Sequence, residues 1–408
     1  MKSEKVKFNL YFLIVLSSLI FYNPFGIIPP QYGKLLFYLI CFISLIYAYK
    51  NGINLRKIKY PKVAYKILIS GIIFSSFMAS FFHEQSFMTS FIAIIPYILG
   101  FLVFYILMKF NLPKEKIEKA IWTFCIISMI TYIINFVSIP NTIFGMTRET
   151  FDDSRGVVRL SIFSLELIVL YFLYAINKWM QTRQKKHLYL IVITGLFIVL
   201  SVIRQYIFLS IMLGILFILQ KSSFIKKIIF VAICLCVYYF ILPKIPMYQK
   251  MSEVTSSQID NNAETEDIRI SAWKFYTNEY QTNSITRILG NGLPSIGNSK
   301  WGNNFEKTIS RDYGGNGCFF VDVGWAGFYW LFGVFSTIGL IIILIKAIFK
   351  KKSVDKQYLS YWCLFIVLTS IASAPILFYN QITSISTVLY LIYGKENNCN
   401  NNIKLQQL

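Results

Sequence analysis

Residues 87–108 read FMTSFIAIIPYILGFLVFYILM, an apolar stretch without a single charged side chain. A bilayer core about 30 Å thick is crossed by roughly 20 such residues in a helix, so the stretch is long enough for one membrane-spanning helix. In the whole chain of 408 residues, 56% are hydrophobic and 14% are charged, which is not the composition of a soluble domain. The sequence therefore predicts an all-α fold, a polytopic bundle of membrane helices.

Further apolar runs predict about twelve spanning helices in one integral membrane domain, 1–408. The runs cover residues 8–22, 32–49, 65–82, 87–108, 120–139, 160–176, 188–203, 206–219, 225–242, 324–345, 359–377 and 378–393. A large extracytoplasmic loop, 243–317, separates the ninth helix from the tenth. Residues 394–408 form a short cytoplasmic tail in this prediction.

The basic residues predict which side each loop faces, because short cytoplasmic loops collect Lys and Arg. With the amino end inside, 27 of the 40 basic residues lie on cytoplasmic segments, and eight of the other 13 lie in the long loop, to which the rule does not apply. We therefore expect a multi-pass membrane protein with both termini in the cytoplasm. The net charge of +21 follows from this topology and does not indicate nucleic acid.

Arginine and lysine are distributed differently between the two sides. The cytoplasmic segments hold 25 Lys and two Arg, whereas the extracytoplasmic segments hold six Lys and seven Arg. The planar guanidinium binds phosphate or carboxylate in two places, which an ammonium does not. This bias predicts an anion-binding site on the outer face. The seven arginines are Arg148, Arg155, Arg159, Arg204, Arg269, Arg287 and Arg311.

Arg204 is the strongest of these candidates. It lies at the tip of a hairpin whose two apolar legs are short for spanning helices, so the tip should lie below the membrane surface, where an arginine needs an anionic partner or a water-filled cavity. Arg155 and Arg159 flank the start of the sixth helix and could bind substrate or anchor at lipid headgroups. Arg148, Arg287 and Arg311 are either ligands or ordinary solvated loop charges.

Two carboxylates accompany the arginines. Glu166 is predicted two helical turns beyond Arg159 on the same face, as a functional group inside the membrane or as one half of an internal ion pair. Asp322 lies at the outer mouth of the tenth helix, where it could face the arginines or cap the helix.

The long loop contains an aromatic stripe. Arg269, Trp273, Tyr276 and Tyr280 follow one face of an amphipathic helix. A cation beside aromatic rings suits a sugar phosphate, although such a stripe more commonly packs into a hydrophobic core.

Several classes of site are excluded by the sequence. No GxxxxGK[ST], HExxH or GxSxG motif occurs, the two histidines His83 and His187 lie on opposite sides in the predicted topology, and seven scattered cysteines give no disulfide framework. We expect no metal and no cofactor.

Three short motifs carry a resemblance to a known family. SRGVVRL (154–160) precedes the sixth helix, Arg204 lies in SVIRQ (201–205), and the long loop contains Arg269 four residues before Trp273 and then Gly290-Asn291-Gly292. With the bundle and its loop, these motifs resemble the O-antigen and capsule repeat-unit polymerases (Wzy-like) and the related O-antigen ligases. The segment DVGWAGF (322–328) is similar to the polymerase branch.

The resemblance implies an inverting, metal-independent glycosyl transfer on the outer face of the cytoplasmic membrane. The donor would be a glycan on undecaprenyl pyrophosphate and the acceptor a sugar hydroxyl on a lipid-linked repeat unit, with membrane lipid and a chain-length regulator protein as further partners. Arg204 and Arg269, and secondarily Arg155 and Arg159, would stabilise the pyrophosphate leaving group. Asp322, or secondarily Glu166, would accept the hydroxyl proton.

Two alternatives stay open. A ligase-type transferase is less favoured because ligases of this superfamily carry a histidine near the end of the long loop, and this loop has none. A flippase for lipid-linked oligosaccharides would be expected to have several intramembrane charges and short, even loops.

Overall fold

A computed structural model describes residues 2–19, 27, 30–55, 58–139, 141, 143–144, 151–152, 157–158, 160, 162, 164–220, 244, 249, 268–280, 283–311 and 318–395. Over these residues the regular secondary structure is helical except for one short antiparallel pairing. There β1 (Phe151–Asp152) pairs with β2 (Val157–Val158), with Phe151 opposite Val158. The predicted all-α fold is therefore confirmed.

The helices are α1 (Lys2–Ser18), α2 (Pro30–Asn51), α3 (Lys62–His83), α4 (Phe87–Phe110), α5 (Lys114–Val137), α6 (Leu165–Thr182), α7 (Lys185–Leu200), α8 (Arg204–Gln220), α9 (Ile268–Lys274), α10 (Ser284–Leu289), α11 (Lys300–Arg311), α12 (Gly324–Phe349), α13 (Tyr358–Thr369) and α14 (Tyr379–Tyr393). A π-helical turn, Phe275–Glu279, continues α9, and a 3-10 turn, Phe320–Asp322, precedes α12. Helix α12 packs along α3, α14 along α4, and α6 along α7.

Five helices in the described part of the chain, α2 to α5 and α12, are long and apolar enough to cross a membrane. Every predicted apolar run except 225–242, which lies outside the described residues, overlaps a helix. Several of these helices are much shorter than a bilayer crossing, and the count of twelve spans stays a prediction.

Helix α4 shows how local chemistry sets the ends of the long helices. Ser86 precedes it and accepts a hydrogen bond from the backbone N–H of Thr89 at 3.2 Å, which satisfies one of the unpaired donors of the first turn. Asn111 ends it in the left-handed conformation (φ 50°) and donates its backbone N–H to the carbonyl of Leu107, an arrangement that asparagine tolerates better than most residues.

Helix α6 begins later than the sequence predicts. The apolar run starts at residue 160, but the helix starts at Leu165, after Ser164 in a left-handed conformation with φ 53°. Residues 157–158 belong to β2. The described residues 160, 162 and 164 are not helical, and the prediction that Arg159 lies two turns before Glu166 on one helical face falls outside the described residues.

The short helices α6 and α7 have ends inside the bundle, and contacts with the long helix α5 show how deep these ends lie. The hydroxyl of Tyr132 donates to the carbonyl of Leu200 at the end of α7 (3.3 Å), and the thiol of Cys125 donates to the carbonyl of Leu167 at the start of α6 (3.3 Å). Tyr132 and Cys125 lie about five and twelve residues before Val137, where α5 ends, or roughly 7 and 18 Å along the helix.

Helix α14 also starts below the end of its long neighbour. Ser386 donates its hydroxyl to the carbonyl of Gly100 at 2.7 Å, near the middle of α4. The starts of α6, α8 and α14 and the ends of α7 and α13 thus lie within the bundle, and we call these five helix ends the recessed termini.

Helix α12 is broken at Gly333, which has φ 76°. The turn Gly290-Asn291-Gly292 packs against the break. The backbone N–H of Asn291 donates to the carbonyl of Trp330, and that of Gly292 donates to the carbonyl of Leu331, both at 2.9 Å. This part of the predicted long loop is therefore wedged between α3 and α12. Its backbone N–H groups bind carbonyls that lose their helical partners at the break.

Glycine is required at the break because another backbone segment lies close to Gly333, and not only because φ is positive there. A Cβ on Gly333 would lie 2.3 Å from the carbonyl oxygen of Ile288, whereas Gly297, with φ 80°, has no atom within 4 Å of the equivalent position. We predict that Gly333→Ala costs more than about 3 kcal/mol of stability and Gly297→Ala only about 1–2 kcal/mol. Thermal unfolding of the purified variants measures the difference, and equal losses would show that the wedge does not depend on contact at Gly333.

Candidate functional site

The carboxyl end of α13 organises the candidate site. A helix leaves its last carbonyl groups without helical partners, and a bilayer core offers no water to satisfy them. Here they accept hydrogen bonds from three other elements. Gln205 Nε2 donates to the carbonyl of Thr369 (2.7 Å), Trp325 Nε1 to that of Val367 (2.9 Å), and Trp273 Nε1 to that of Ile371 (2.9 Å).

The backbone at the start of α12 joins the same cluster. The N–H of Trp325 donates to the carbonyl of Ser370 at 2.9 Å, and the N–H of Gly324 donates to that of Ser373 at 3.1 Å. The start of α8, helix α9 and the start of α12 are thus fixed to one short segment, residues 367–373. We call this segment the α13 hub.

Each element bound to the hub carries one of the predicted charged residues. Arg204 is adjacent to Gln205, Arg269 lies one turn before Trp273 on α9, and Asp322 lies three residues before Trp325. The α13 hub therefore brings together three elements that are distant in sequence. The side chains that bind the hub, Gln205, Trp273 and Trp325, lie close in sequence to the three charged residues.

Arg204 is the first residue of α8 and is partly exposed. The turn before it contains Val202 with φ 54°, a conformation that is unusual for a β-branched residue. The end of α7 lies short of the end of α5, so the hairpin tip is recessed relative to α5.

Arg269 and Asp322 form the charged part of the site. Both residues are exposed, and Arg269 is close enough to act electrostatically on the Asp322 carboxylate. Partial burial raises the pKa of Asp322 above its ordinary value, and the positive charge of Arg269 acts in the opposite direction. The alternative role of Asp322 as a helix cap is not seen, because Val323 precedes α12 and no side-chain hydrogen bond caps its first turn.

An apolar groove of about 420 Å³ begins beside Trp273. Helix α12 supplies most of its wall, from Trp325 and Tyr329 near its start to Ile341 and Ile345 beyond the break, and Val367 supplies part of the opposite side. Trp273 is half-buried, so part of its side chain is accessible beside the groove. The site thus joins an apolar groove to a charged pair.

Tyr276, predicted to contact substrate, is buried away from this surface. It is 0% exposed, and its hydroxyl donates to the carbonyl of Cys318 at 2.5 Å. Its ring lies 5.4 Å from that of Trp330, which stacks on Phe305 at 5.0 Å. Tyr276 and Tyr280 pack into the aromatic core of segment 268–311, so the core interpretation of the stripe is correct beyond Trp273.

The other predicted arginines are not brought to the groove by any described contact. Arg287 is exposed on α10, which packs against α3 and α12. Arg155 and Arg159 lie outside the described residues, as does the side chain of Arg311, the last residue of α11.

Glu166, the second carboxylate predicted from the sequence, is buried and does not line the groove. The residue is 1% exposed in the first turn of α6. Trp362 Nε1 donates to its backbone carbonyl at 2.6 Å, and Ser384 Oγ lies 3.5 Å from Oε1. The internal ion pair considered from the sequence is also not seen, since the salt bridge in the described chain joins Lys116 to Glu4 at 2.7 Å.

Sequence reasoning missed the neutral residues that build the site. Gln205 and Trp325 both lie inside the quoted motifs, SVIRQ and DVGWAGF, but a functional role was predicted only for the arginine and the aspartate in them. Their amide and indole N–H groups find partners on α13, and that pairing is not encoded by local spacing. Within the described ranges, His, Cys, Asp and Glu do not gather into a group of three that could hold a metal ion.

No model of a known protein family matches this chain, and no curated protein matches it.

We predict that Gln205→Leu lowers stability by about 1–2 kcal/mol, because the substitution removes a hydrogen-bond donor from the Thr369 carbonyl at a recessed terminus. Gln184→Leu is the matched control, since Gln184 is exposed between α6 and α7 and its side chain caps neither helix. Thermal unfolding of both variants in one detergent gives the comparison. Equal stability of the two would mean that the hub does not depend on this bond.

Proposed function

We propose that this protein polymerises lipid-linked oligosaccharide repeat units, carried on undecaprenyl pyrophosphate, into a surface polysaccharide such as O-antigen or capsule on the outer face of the cytoplasmic membrane. The observation that carries the proposal is the apolar groove beside Trp273, next to the Arg269–Asp322 pair. A substrate with a long apolar tail, a charged phosphate and a sugar requires an apolar surface, a cation and an aromatic ring close to one another.

The groove suits the lipid part of such a substrate. Its walls are aliphatic and aromatic, and they belong to a helix long and apolar enough to cross a membrane. A polyprenyl chain would lie there at little desolvation cost, because it exchanges one apolar environment for another. The accessible part of the Trp273 side chain suits the C–H face of a sugar, as aromatic side chains do at such sites.

The charged residues suit the chemistry of transfer. The acceptor hydroxyl oxygen bonds to the anomeric carbon of the donor while the bond from that carbon to the pyrophosphate oxygen breaks. Negative charge gathers on the pyrophosphate, and the guanidiniums of Arg269 and Arg204 stabilise it. The hydroxyl proton passes to the carboxylate of Asp322, which is exposed and so accessible to a bound acceptor.

A flippase for the same lipid-linked oligosaccharides is the second candidate. The recessed termini and the buried carboxylate of Glu166 favour it, because broken helices and intramembrane charges are typical of transport paths. A ligase-type transferase would use the same groove and charges, with a different acceptor.

Deletion of the gene tests the three functions at once. For a polymerase, we expect single repeat units to accumulate or to cap the surface while long chains vanish. A full-length polymer left unattached on its lipid would instead indicate a ligase, and repeat units trapped on the inner face would indicate a flippase. Gel analysis of surface glycan and of lipid-linked intermediates separates these outcomes.

Complementation with arginine variants tests the phosphate-binding role. We predict that Arg204→Lys and Arg269→Lys lose most polymer, by about 10²-fold or more in rate, because an ammonium cannot reproduce the two-point contact. Arg183→Lys at the opposite end of α6 is the control and should keep wild-type chain length. Immunoblots of membranes establish equal insertion, and full activity in both site variants would remove the phosphate clamp from the proposal.

The pH dependence of the reaction tests Asp322 as the base. A base must be ionised, so the rate should rise with pH through a value above that of an ordinary aspartate, because burial raises the pKa of Asp322. Arg269→Gln removes the charge that lowers this pKa and should move the rising limb to higher pH in the residual activity. Lys307→Gln, on the exposed face of α11, should leave it in place. An unchanged limb in Asp322→Asn would exclude Asp322 as the base.

A further inference from the structure

Glu166 is buried among oxygen atoms at the recessed start of α6. Besides the long contact from Ser384 Oγ (3.5 Å), the amide side chain of Gln381 lies against its carboxylate. Cys125 of α5 and Tyr206 of α8 lie near it, and Trp362 of α13 contacts its backbone. None of these neighbours brings a positive charge, and no Lys or Arg in the described chain forms a salt bridge with Glu166.

The hydrogen-bond donors at this carboxylate are neutral: the Ser384 hydroxyl, the Gln381 side chain and the backbone N–H of Glu166 itself. Ser384 has one hydroxyl hydrogen, and it also lies 3.2 Å from the carbonyl of Asn380, so at most one of the two acceptors receives it. The Oε1 atom of Gln381 is buried without a hydrogen-bond partner in the described chain, and so is the Oγ atom of Ser164, a residue 3% exposed and two positions before Glu166.

A buried ionised carboxylate without a counter-charge is strongly destabilising, and proteins neutralise such a group with a proton or a bound cation. A cation would also give the unpaired oxygens of Gln381 and Ser164 a partner. We propose that Glu166, Ser384, Gln381 and Ser164 form a buried site for a small monovalent cation, either Na⁺ or a proton.

The ligand set selects charge and size. One carboxylate neutralises one positive charge, and divalent ions bind preferentially where several carboxylates converge. The remaining ligands are neutral oxygens from a hydroxyl, an amide and a second hydroxyl, which are hard donors that suit Na⁺ and do not suit soft transition metals.

The site borders the arginine hairpin. Tyr206, which lies near the Glu166 carboxylate, follows Arg204 by two residues on the first turn of α8. Its ring packs on Phe365 of α13 at 5.1 Å. Occupancy by a cation therefore acts on the same helix start that carries Arg204, and the site is independent of which reaction the protein performs.

Thermal unfolding of the full-length protein in detergent tests the proposal without an activity assay. Samples are compared in Na⁺, K⁺ and N-methylglucamine at constant ionic strength, each between about pH 5 and pH 8, a range that lies above the pKa of an unfolded glutamate. For a sodium site, Na⁺ raises the Tm by about 3 °C or more over N-methylglucamine at the higher pH. For a proton site, the Tm falls as pH rises in every salt, because the folded state holds a proton that the unfolded state releases.

Glu166→Gln and Glu115→Gln are the matched variants. Glu166→Gln keeps the shape of the side chain without its charge and should lose both responses, whereas Glu115→Gln changes an exposed carboxylate on α5 and should keep the wild-type response. Ser384→Ala serves if Glu166→Gln does not fold, and should weaken the sodium response. A wild-type Tm that depends on neither Na⁺ nor pH, or a response retained in Glu166→Gln, overturns the proposal.

Discussion

The carbonyl groups at the carboxyl end of α13 impose the constraint on which the rest of the site depends. Helix α13 is only 12 residues long, so it ends inside a bundle whose longest helices have twice that length. Carbonyls exposed at that depth need donors from other parts of the protein. They obtain them from Gln205, Trp273 and Trp325, and these three bonds decide where the starts of α8 and α12 and the whole of α9 lie.

This constraint explains how much of the molecule the sequence could predict. Long apolar runs such as 87–108 identify helices reliably, because length and composition alone decide whether a segment is stable in a bilayer. The start of α6 was misplaced because the apolar residues 160–164 look like helix, whereas Ser164 adopts a left-handed conformation. Composition does not contain that information.

The candidate site shows the same division between local and tertiary information. The arginine bias and the position of Asp322 at the start of a helix could be read from the sequence, and Arg269 and Asp322 are both exposed. The sequence could not predict whether the aromatic stripe contacts substrate or packs in the core, because Trp273 and Tyr276 have the same helical spacing in both cases. Only the tertiary partners separate them, since Trp273 borders the groove while Tyr276 binds the Cys318 carbonyl.

The two carboxylates illustrate how position assigns chemical role. Asp322 lies beside Arg269 in contact with solvent, so it stays available to accept a proton from a bound hydroxyl. Glu166 lies 1% exposed among hydroxyl and amide oxygens, where a substrate hydroxyl cannot approach. Its charge must be neutralised within the bundle. The same functional group thus serves surface chemistry at the start of α12 and internal charge balance at the start of α6, because burial and neighbouring charge differ.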